Sequence, residues 1–595
     1  MKTPFIHYFQ YFKREAGGKI YLFLILSVTA AGLDGLGITA LVPLISLDFT
    51  GEVSNDVVSR LIYWLFSFTG IDPSVRTVLV FILIIFFIKF IFSFSQLVVS
   101  SYITTWLGEH LKRKNAVAYS NMTYRYYTTT KIGFLNNLLT TEVVTVVACF
   151  KKLAQVVVFS CNLLAYLAFS FIVNWQLTVV VLLVGLVLNV TYKKIRRAVA
   201  KISYSITQVN AETHNILIEF ISNYKYLKAT SHASHYLKHL FPVLRRSRNL
   251  NFKSKVYDSF TITTFDFFKI VVLVGSLSFM VEFNGAKITE LIVPLALIAK
   301  SMGMILSLQS VWQAFISKSG SIVVLEEAEE QFEMHSEKVV VTELKEFTDE
   351  IHLNEVSYAF DSDNVLTDID LTIQNGMCIG LAGPSGSGKT TLVDIIVGLL
   401  EPTRGKVTID GKEYSALNKE SLRTHFGYVT QDPVIFNDSI KNNISFWDDG
   451  PHVDEKIINA MAFAGCLEFV SEFPEKEHAM VGDKGVKLSG GQRQRLSIAR
   501  EIYSDPDVMV FDEATAALDT ESEQIIQESI EKLQGKKTII IIAHRLSTLK
   551  ICDTIHVIDS GSVREEGPWD DLLQRDGLFA EMCRKQGIVS TNDVL

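Results

Sequence analysis

The sequence predicts an α-helical six-span transmembrane domain over residues 1–330, followed over residues 331–595 by an α/β domain with a helical subdomain. Three observations predict it. Five long apolar blocks fill the chain up to about residue 315, where a bilayer core takes about 20 apolar residues per helix. Beyond that point the composition becomes that of a soluble α/β protein. Within this second part an apolar strand, "MCIGLAG", runs through the glycine-rich "GPSGSGKT" directly into a helix, "TLVDIIVGLL".

At 595 residues the chain is too long for one domain, and 48% of it is hydrophobic. A net charge of −8 argues against a general nucleic-acid binder, which carries a basic balance. The six cysteines (Cys149, Cys161, Cys378, Cys466, Cys552 and Cys583) show no CxxC pair and no metal-ligand spacing. They read as packing or surface residues, and the last four belong to a domain that a reducing cytosol keeps as thiols. The N-terminal "MKTPFIHYFQYFKREAGGK" mixes aromatic residues with Lys2, Lys13, Arg14 and Lys19, and shows no signal peptide. It reads as an amphipathic helix lying on the membrane surface.

The apolar blocks are Tyr21–Leu47, Val78–Val99, Val156–Val190, Val256–Phe283 and Leu291–Trp312. The third is too long for one span, and "NWQ" (Asn174–Gln176) breaks it into a hairpin, which makes six helices. Basic residues assign the cytosolic side. They cluster before the first span and in two long connectors, at Lys112, Arg113 and Lys114 and at Lys193, Lys194, Arg196 and Arg197. The connector with Asp48, Glu52, Asp56 and Asp72 is acid-rich, so both termini face the cytosol. The two basic connectors are helix-friendly and nearly free of proline. They are expected to continue the span helices, since ~25 residues at 1.5 Å rise reach about 40 Å. Their turns are expected at Gly133–Thr140 and Glu219–Leu227. Asp34, Lys89, Asp258, Asp266, Lys269 and Lys300 fall within the spans. Ionisable groups there mark a pathway or a buried pair; the alternative is snorkelling at span ends, or an i,i+3 pair of Asp266 with Lys269.

"GPSGSGKT" matches G-x-x-x-x-G-K-[ST] in full, between the strand and the helix that the motif requires, and defines an α/β P-loop nucleotide-binding domain. Gly383, Pro384, Ser385, Gly386, Ser387 and Gly388 turn backbone N–H groups inward around phosphate oxygens, helped by the positive end of the following helix. Lys389 is expected at the β- and γ-phosphates and the Thr390 hydroxyl at Mg²⁺, with Thr391 beside it. "VMVFDE" (Val508–Glu513) is a buried strand ending in two carboxylates. Asp512 is placed to meet Mg²⁺, and Glu513 to polarise the attacking water as general base. In "LSGGQRQRLSIAR", Ser489, Gly490, Gly491 and Gln492 open a helix whose N-terminus again faces an anion.

These motifs, with Gln431 in "YVTQDP" and His544 in "IIAHRLS", resemble the ATP-binding cassette proteins over about residues 350–580. The six spans and two long hairpins resemble the exporter branch. The resemblance implies a role for each residue. Phe360 or Tyr358 would stack on adenine, Gln431 would touch Mg²⁺ and sense the membrane helices, and His544 would contact the γ-phosphate. Ser489, Gly490 and Gly491 would complete the ATP site of the opposite subunit, and Asp519 would link the two sites. Two departures stand out: Ala516 where serine is commoner, and Asp483 for glutamate in "VGDKG" (Val481–Gly485), the segment that contacts the coupling helices.

One copy of each motif makes the chain a half-transporter. Intact Glu513 and "LSGGQ" favour a homodimer over a heterodimer. The implied function is ATP-driven export or flipping of an amphipathic substrate, with the nucleotide domain in the cytoplasm of a bacterial inner membrane. The first span, "GLDGLGITALVPLISL", resembles exporters of lipid-linked oligosaccharides and glycolipids, while a helix kink explains its glycines and Pro43 equally well. A peptide, a hydrophobic drug or a simple lipid remains an alternative cargo. An ATP-gated channel or regulatory subunit is a reading of another class, disfavoured by the intact general base, and the six spans disfavour a soluble cassette.

Overall fold

The computed structural model describes residues 4–44, 60, 64, 66, 74–130, 132–179, 182–183, 193–284, 288–360, 363–514 and 520–588. Two compact units divide the chain. One takes in Met1–Ser120 and Lys131–Met334, the other Asn121–Thr130 and His335–Leu595.

The first unit is helical. The N-terminal segment is helical, as expected: α1 (Pro4–Ala16) has Lys13 and Arg14 in its last turn and buries Tyr11, Phe12 and Ala16. It leads into α2 (Lys19–Thr39), α3 (Val75–Ser120), α4 (Val143–Val173), α5 (Lys193–Ser222), α6 (Ala233–Asn284), α7 (Ile288–Ile316) and α8 (Gly320–Met334). Among the described residues five helices are long and apolar enough to cross a membrane. The sixth expected span, the second half of Val156–Val190, falls largely outside the described residues. The chain does break where "NWQ" placed the break. Asn174 leaves the helix at φ −155° and ψ 99°, and its Oδ1 accepts the Leu177 N–H at 3.1 Å.

The basic connectors continue the spans, as expected. The 46 residues of α3 amount to about 69 Å of helix, and the 52 of α6 to about 78 Å. The first expected turn is corrected. Gly133–Thr140 is helical throughout, a short α-helix (Ile132–Asn137) running into a π-helical turn (Leu138–Glu142). The chain reverses earlier, through a separate short helix, Tyr124–Thr129, that belongs to the second unit. Thr123 enters that helix in extended conformation, and Met122 pairs as an antiparallel bridge with Ser336. Backbone pairing to a strand-like segment thus ends the long helix before Gly133. The second turn is nearer the mark: α5 stops at Ser222, and a short helix, Tyr224–Ala229, follows.

Among the described residues, five of the six charges placed inside the spans, all but Asp258, are paired. Lys269 Nζ donates to Asp266 Oδ1 at 2.9 Å, the local i,i+3 pair. Asp34 on α2 is buried and gathers three donors from three other helices: Lys89 of α3, the Tyr166 hydroxyl of α4, and Lys300 of α7 with Nζ 3.5 Å from Oδ2. Nearby, Gln96 of α3 donates to the Ser27 hydroxyl of α2 at 3.2 Å.

The second unit holds two sheets. A four-stranded antiparallel sheet has the order β2 (Asp363–Gln374), β1 (Glu350–Phe360), β4 (Arg404–Ile409), β5 (Lys412–Glu413). A six-stranded sheet runs β10 (Ser562–Gly567), β9 (Thr554–Asp559), β3 (Cys378–Ala382), β8 (Thr538–Ile542), β7 (Val508–Asp512), β6 (Phe426–Val429). All neighbours in it are parallel except β9 with β10. Both faces of the inner strands are covered, so they are continuously apolar rather than alternating. On β7, Val508 and Val510 enter one core with Ile351, Leu353 and Leu392, while Met509 and Phe511 enter a second core with Leu496 and Ile498. The cysteines behave as expected. All six are free and five are buried, with Cys378 and Cys552 placing their Sγ atoms 3.5 Å apart.

Candidate active site

The site forms where β3 and β7, separated only by β8, release the chain at the same edge of the parallel sheet. Past Ala382 the chain makes a tight turn and enters α9 (Lys389–Ile396). Two glycines make this turn feasible. Gly383 has φ +148°, and a Cβ there would run into the Ile558 carbonyl. Gly388 has φ +102°, and a Cβ would meet Leu366 Cδ2 at 2.7 Å. Lys389 Nζ lies across the loop it ends, donating to the carbonyls of Gly383 at 2.9 Å and Pro384 at 2.8 Å. Burial lowers its pKa, while the nearby carboxylates of Glu513 and Asp512 raise it. The ammonium is held across the loop on two neutral carbonyls. Thr390 is exposed on the first turn of α9 beside half-buried Thr391, and Pro384, Ser385 and Gly386 are exposed on the loop while Ser387 is buried.

Asp512 closes β7. Burial pushes its carboxyl above the ordinary aspartate range, and the Tyr428 hydroxyl, donating to Oδ2 at 3.1 Å, pulls it back. Glu513 then turns off the strand with φ +48° and gives its N–H to the Ile542 carbonyl at 2.9 Å. Gln431 Nε2 donates to Glu513 Oε2 at 2.7 Å, so the structure joins these two sequence-predicted residues directly. His544 is exposed just past the end of β8, its carbonyl accepting from Gln586 at 2.8 Å.

Of the two candidate adenine-stacking rings, Tyr358 is corrected. It is among the largest fully buried side chains and belongs to the core. Phe360, half-buried and edge-on to Tyr358 with centroids 4.9 Å apart, is the more exposed of the two rings. Asp519 and Ala516 lie outside the described residues. In "VGDKG" the structure forms a single 3₁₀ turn, Asp483–Gly485, with Asp483 exposed.

The helix α10 (Gly490–Ser504) opens with a capping box. The Ser489 hydroxyl accepts the Gln492 N–H at 3.2 Å, and Gln492 Oε1 accepts the Ser489 N–H at 2.9 Å. Ser489 and Gly490 remain exposed, Gly491 is buried, and α10 reaches back toward the residues around Gln431. Gln494 donates to the Thr430 carbonyl at 3.3 Å, and the Arg500 guanidinium donates to the carbonyls of Asn443 at 2.6 Å and Val434 at 2.7 Å.

Sequence reasoning missed Tyr428, Arg500 and Glu501. Glu501 Oε2 accepts the Tyr428 N–H at 3.2 Å. Its only sequence signal is an acid on the inward face of a helix that follows "LSGGQ". Desolvation pushes its pKa up to about 7, against the pull of that N–H and of Arg500. A carboxyl raised above its unfolded value keeps its proton in the folded state while the unfolded chain has lost it. Stability therefore falls as pH rises from about 4.5 to about 7. Glu501→Gln is expected to flatten the fall over that window and to raise the melting temperature at pH 8. An unchanged pH profile in thermal melts refutes the assignment.

A glycine-loop lysine, an acid-ended strand and a neighbouring carboxylate held by a glutamine define a nucleoside-triphosphate hydrolase of the P-loop class. The chain belongs to the ABC transporter family: the family model for an ABC transporter matches residues 366–516, and that for an ABC transporter transmembrane region matches residues 38–305. It is thus an ATPase coupled to movement across a membrane. Among its relatives is the heterocyst differentiation ATP-binding protein HepA of Nostoc sp., 30% identical over 93% of this chain and 92% of that one. An ATP-dependent lipid A-core flippase of Desulfotalea psychrophila is 30% identical over 70% of this chain and 73% of its own length. The corresponding flippase of Legionella pneumophila is 30% identical over 73% and 74%. The fold is shared with a bacterial Atm1-family ABC exporter solved with ATP bound, at a TM-score of 0.78 and 23% identity over 96% of this chain and 99% of the other.

Proposed function

We propose that two copies of this chain clasp two ATP molecules between them and that hydrolysis moves a lipid-linked saccharide or glycolipid across a bacterial inner membrane. One observation carries the reading: Glu513, held by Gln431, and an intact Ser489–Gln492 helix start occur in the same chain. Two identical subunits can therefore complete two competent sites. In each, Lys389 and the loop N–H groups hold the β- and γ-phosphates, Phe360 supports the base, and Ser489, Gly490 and Gly491 of the other copy close over the γ-phosphate. Glu513 orients and polarises the attacking water, with His544 beside the γ-phosphate and Asp519 linking the two sites.

The donor set fits Mg²⁺. The Thr390 hydroxyl, the Asp512 carboxylate and the Gln431 amide oxygen are hard oxygen ligands, and the Gln431 amide nitrogen is already engaged by Glu513, which leaves its oxygen free. When bound there, the ion neutralises charge on the phosphate oxygens. The cargo class follows the relatives named as lipid A-core flippases and the acid in the first span.

The test is ATPase activity of the protein in liposomes. A lipid-linked saccharide or glycolipid fraction is expected to stimulate it several-fold. Stimulation by peptides or hydrophobic drugs alone overturns the cargo class, and ion currents without any stimulation overturn transport.

A further inference from the structure

Tyr428 stands one residue before the end of β6, and no motif accounts for it. In the parallel pairing of β6 with β7, Tyr428 lies opposite Val510. Asp512 is two residues further along and on the same face, about 7 Å ahead. A phenol is the one uncharged side chain of that length ending in a strong donor, and its hydroxyl reaches Asp512 Oδ2 at 3.1 Å. The strand is pinned at this point, because the Tyr428 N–H is held by Glu501 of α10.

The core that Tyr428 packs on also takes in a residue from an unexpected part of the chain. Tyr124, in the Asn121–Thr130 segment, packs half-buried on the same core as Tyr428. That segment is fastened in the second unit by the Thr123 N–H on the His335 carbonyl at 2.8 Å and the Glu337 N–H on the Asn121 carbonyl at 2.8 Å. Tyr126 stacks on His335 with ring centroids 4.4 Å apart. Besides burial, the Asp394 carboxylate of α9 acts on the phenols of both Tyr124 and Tyr428, and Asp512 acts on Tyr428 and Asp394. Burial raises the Tyr428 phenol, so it stays a donor.

We propose that Tyr428 is a positioning residue for Asp512, and that Tyr124 sets the place of the Tyr428 ring. The turn that follows α3 in the chain then acts on the hydrolytic site by a route separate from Gln431. This rests on reading Asp512 as the metal-holding carboxylate.

The experiment uses the full-length protein in detergent, loaded with a non-hydrolysable ATP analogue and titrated with Mg²⁺ by calorimetry. Tyr428→Phe keeps the ring and removes the donor. It is expected to weaken Mg²⁺ binding about tenfold, as losses behind a metal ligand do, with analogue affinity in EDTA unchanged. Tyr124→Ala is expected to shift Mg²⁺ binding in the same direction by a smaller factor. A wild-type Mg²⁺ titration for Tyr428→Phe overturns the positioning role and leaves packing. A shift in that variant but none in Tyr124→Ala overturns the link to the turn. Asp512→Asn separates the underlying reading, which fails if that variant binds Mg²⁺ normally. Tyr428→Leu reads the same shift should the phenylalanine form not express.

Discussion

Glu513→Gln is expected to reduce steady-state ATP hydrolysis by at least about 10²-fold, the scale of a lost general base, while ATP affinity and nucleotide-driven dimer closure persist. The geometry explains the separation. The glutamine keeps the size of Glu513 and an oxygen to accept from Gln431 Nε2, now 2.7 Å from Oε2. The left-handed backbone step at this position, φ +48°, is equally open to it. What disappears is the carboxylate proposed to take a proton from water. Turnover measured with coupled phosphate release, beside ATP-dependent dimerisation by sedimentation, checks both halves. Normal turnover in this variant eliminates Glu513 as the base.

Lys389→Ala is expected to fail at the opposite step. The ammonium donates to the Gly383 and Pro384 carbonyls, and burial makes its charge costly unless an anion meets it. A hydrogen bond to a charged partner contributes about 1.5–3 kcal/mol, so nucleotide affinity is expected to drop about 10- to 100-fold, with hydrolysis falling to background. Fluorescent ATP-analogue binding reads the change directly. Unaltered affinity places the phosphates elsewhere. Together the two variants separate holding nucleotide from cleaving it.

Much of the site was legible because its elements are local. A P-loop needs its strand, glycines and lysine in one continuous run, and "MCIGLAGPSGSGKT" contains all of them. The apolar blocks were equally plain, since lipid demands long uninterrupted stretches. The break at Asn174 is written in a side chain that caps its own turn. What escaped depended on partners distant in sequence. Tyr428 and Asp512 are 84 residues apart, and only the strand register joins them. The turn at Asn121–Thr130 was misplaced because its signal, a bridge to Ser336, comes from a segment more than two hundred residues later. Tyr358 and Phe360 could not be separated by composition. Two residues apart on β1, they share a face by simple alternation, and only the register irregularity between Tyr358 and Ala359 breaks that period.

The Asp34 carboxylate is shared among donors on α3, α4 and α7. Pulling α2 away from that trio would strand an anion and two ammonium groups in a medium that solvates neither, and orphaning a buried ion costs about 3–5 kcal/mol. Any alternation between inward- and outward-open shapes is then cheapest when these four helices travel as one rigid body. Bending is left to the stretches beyond their common knot.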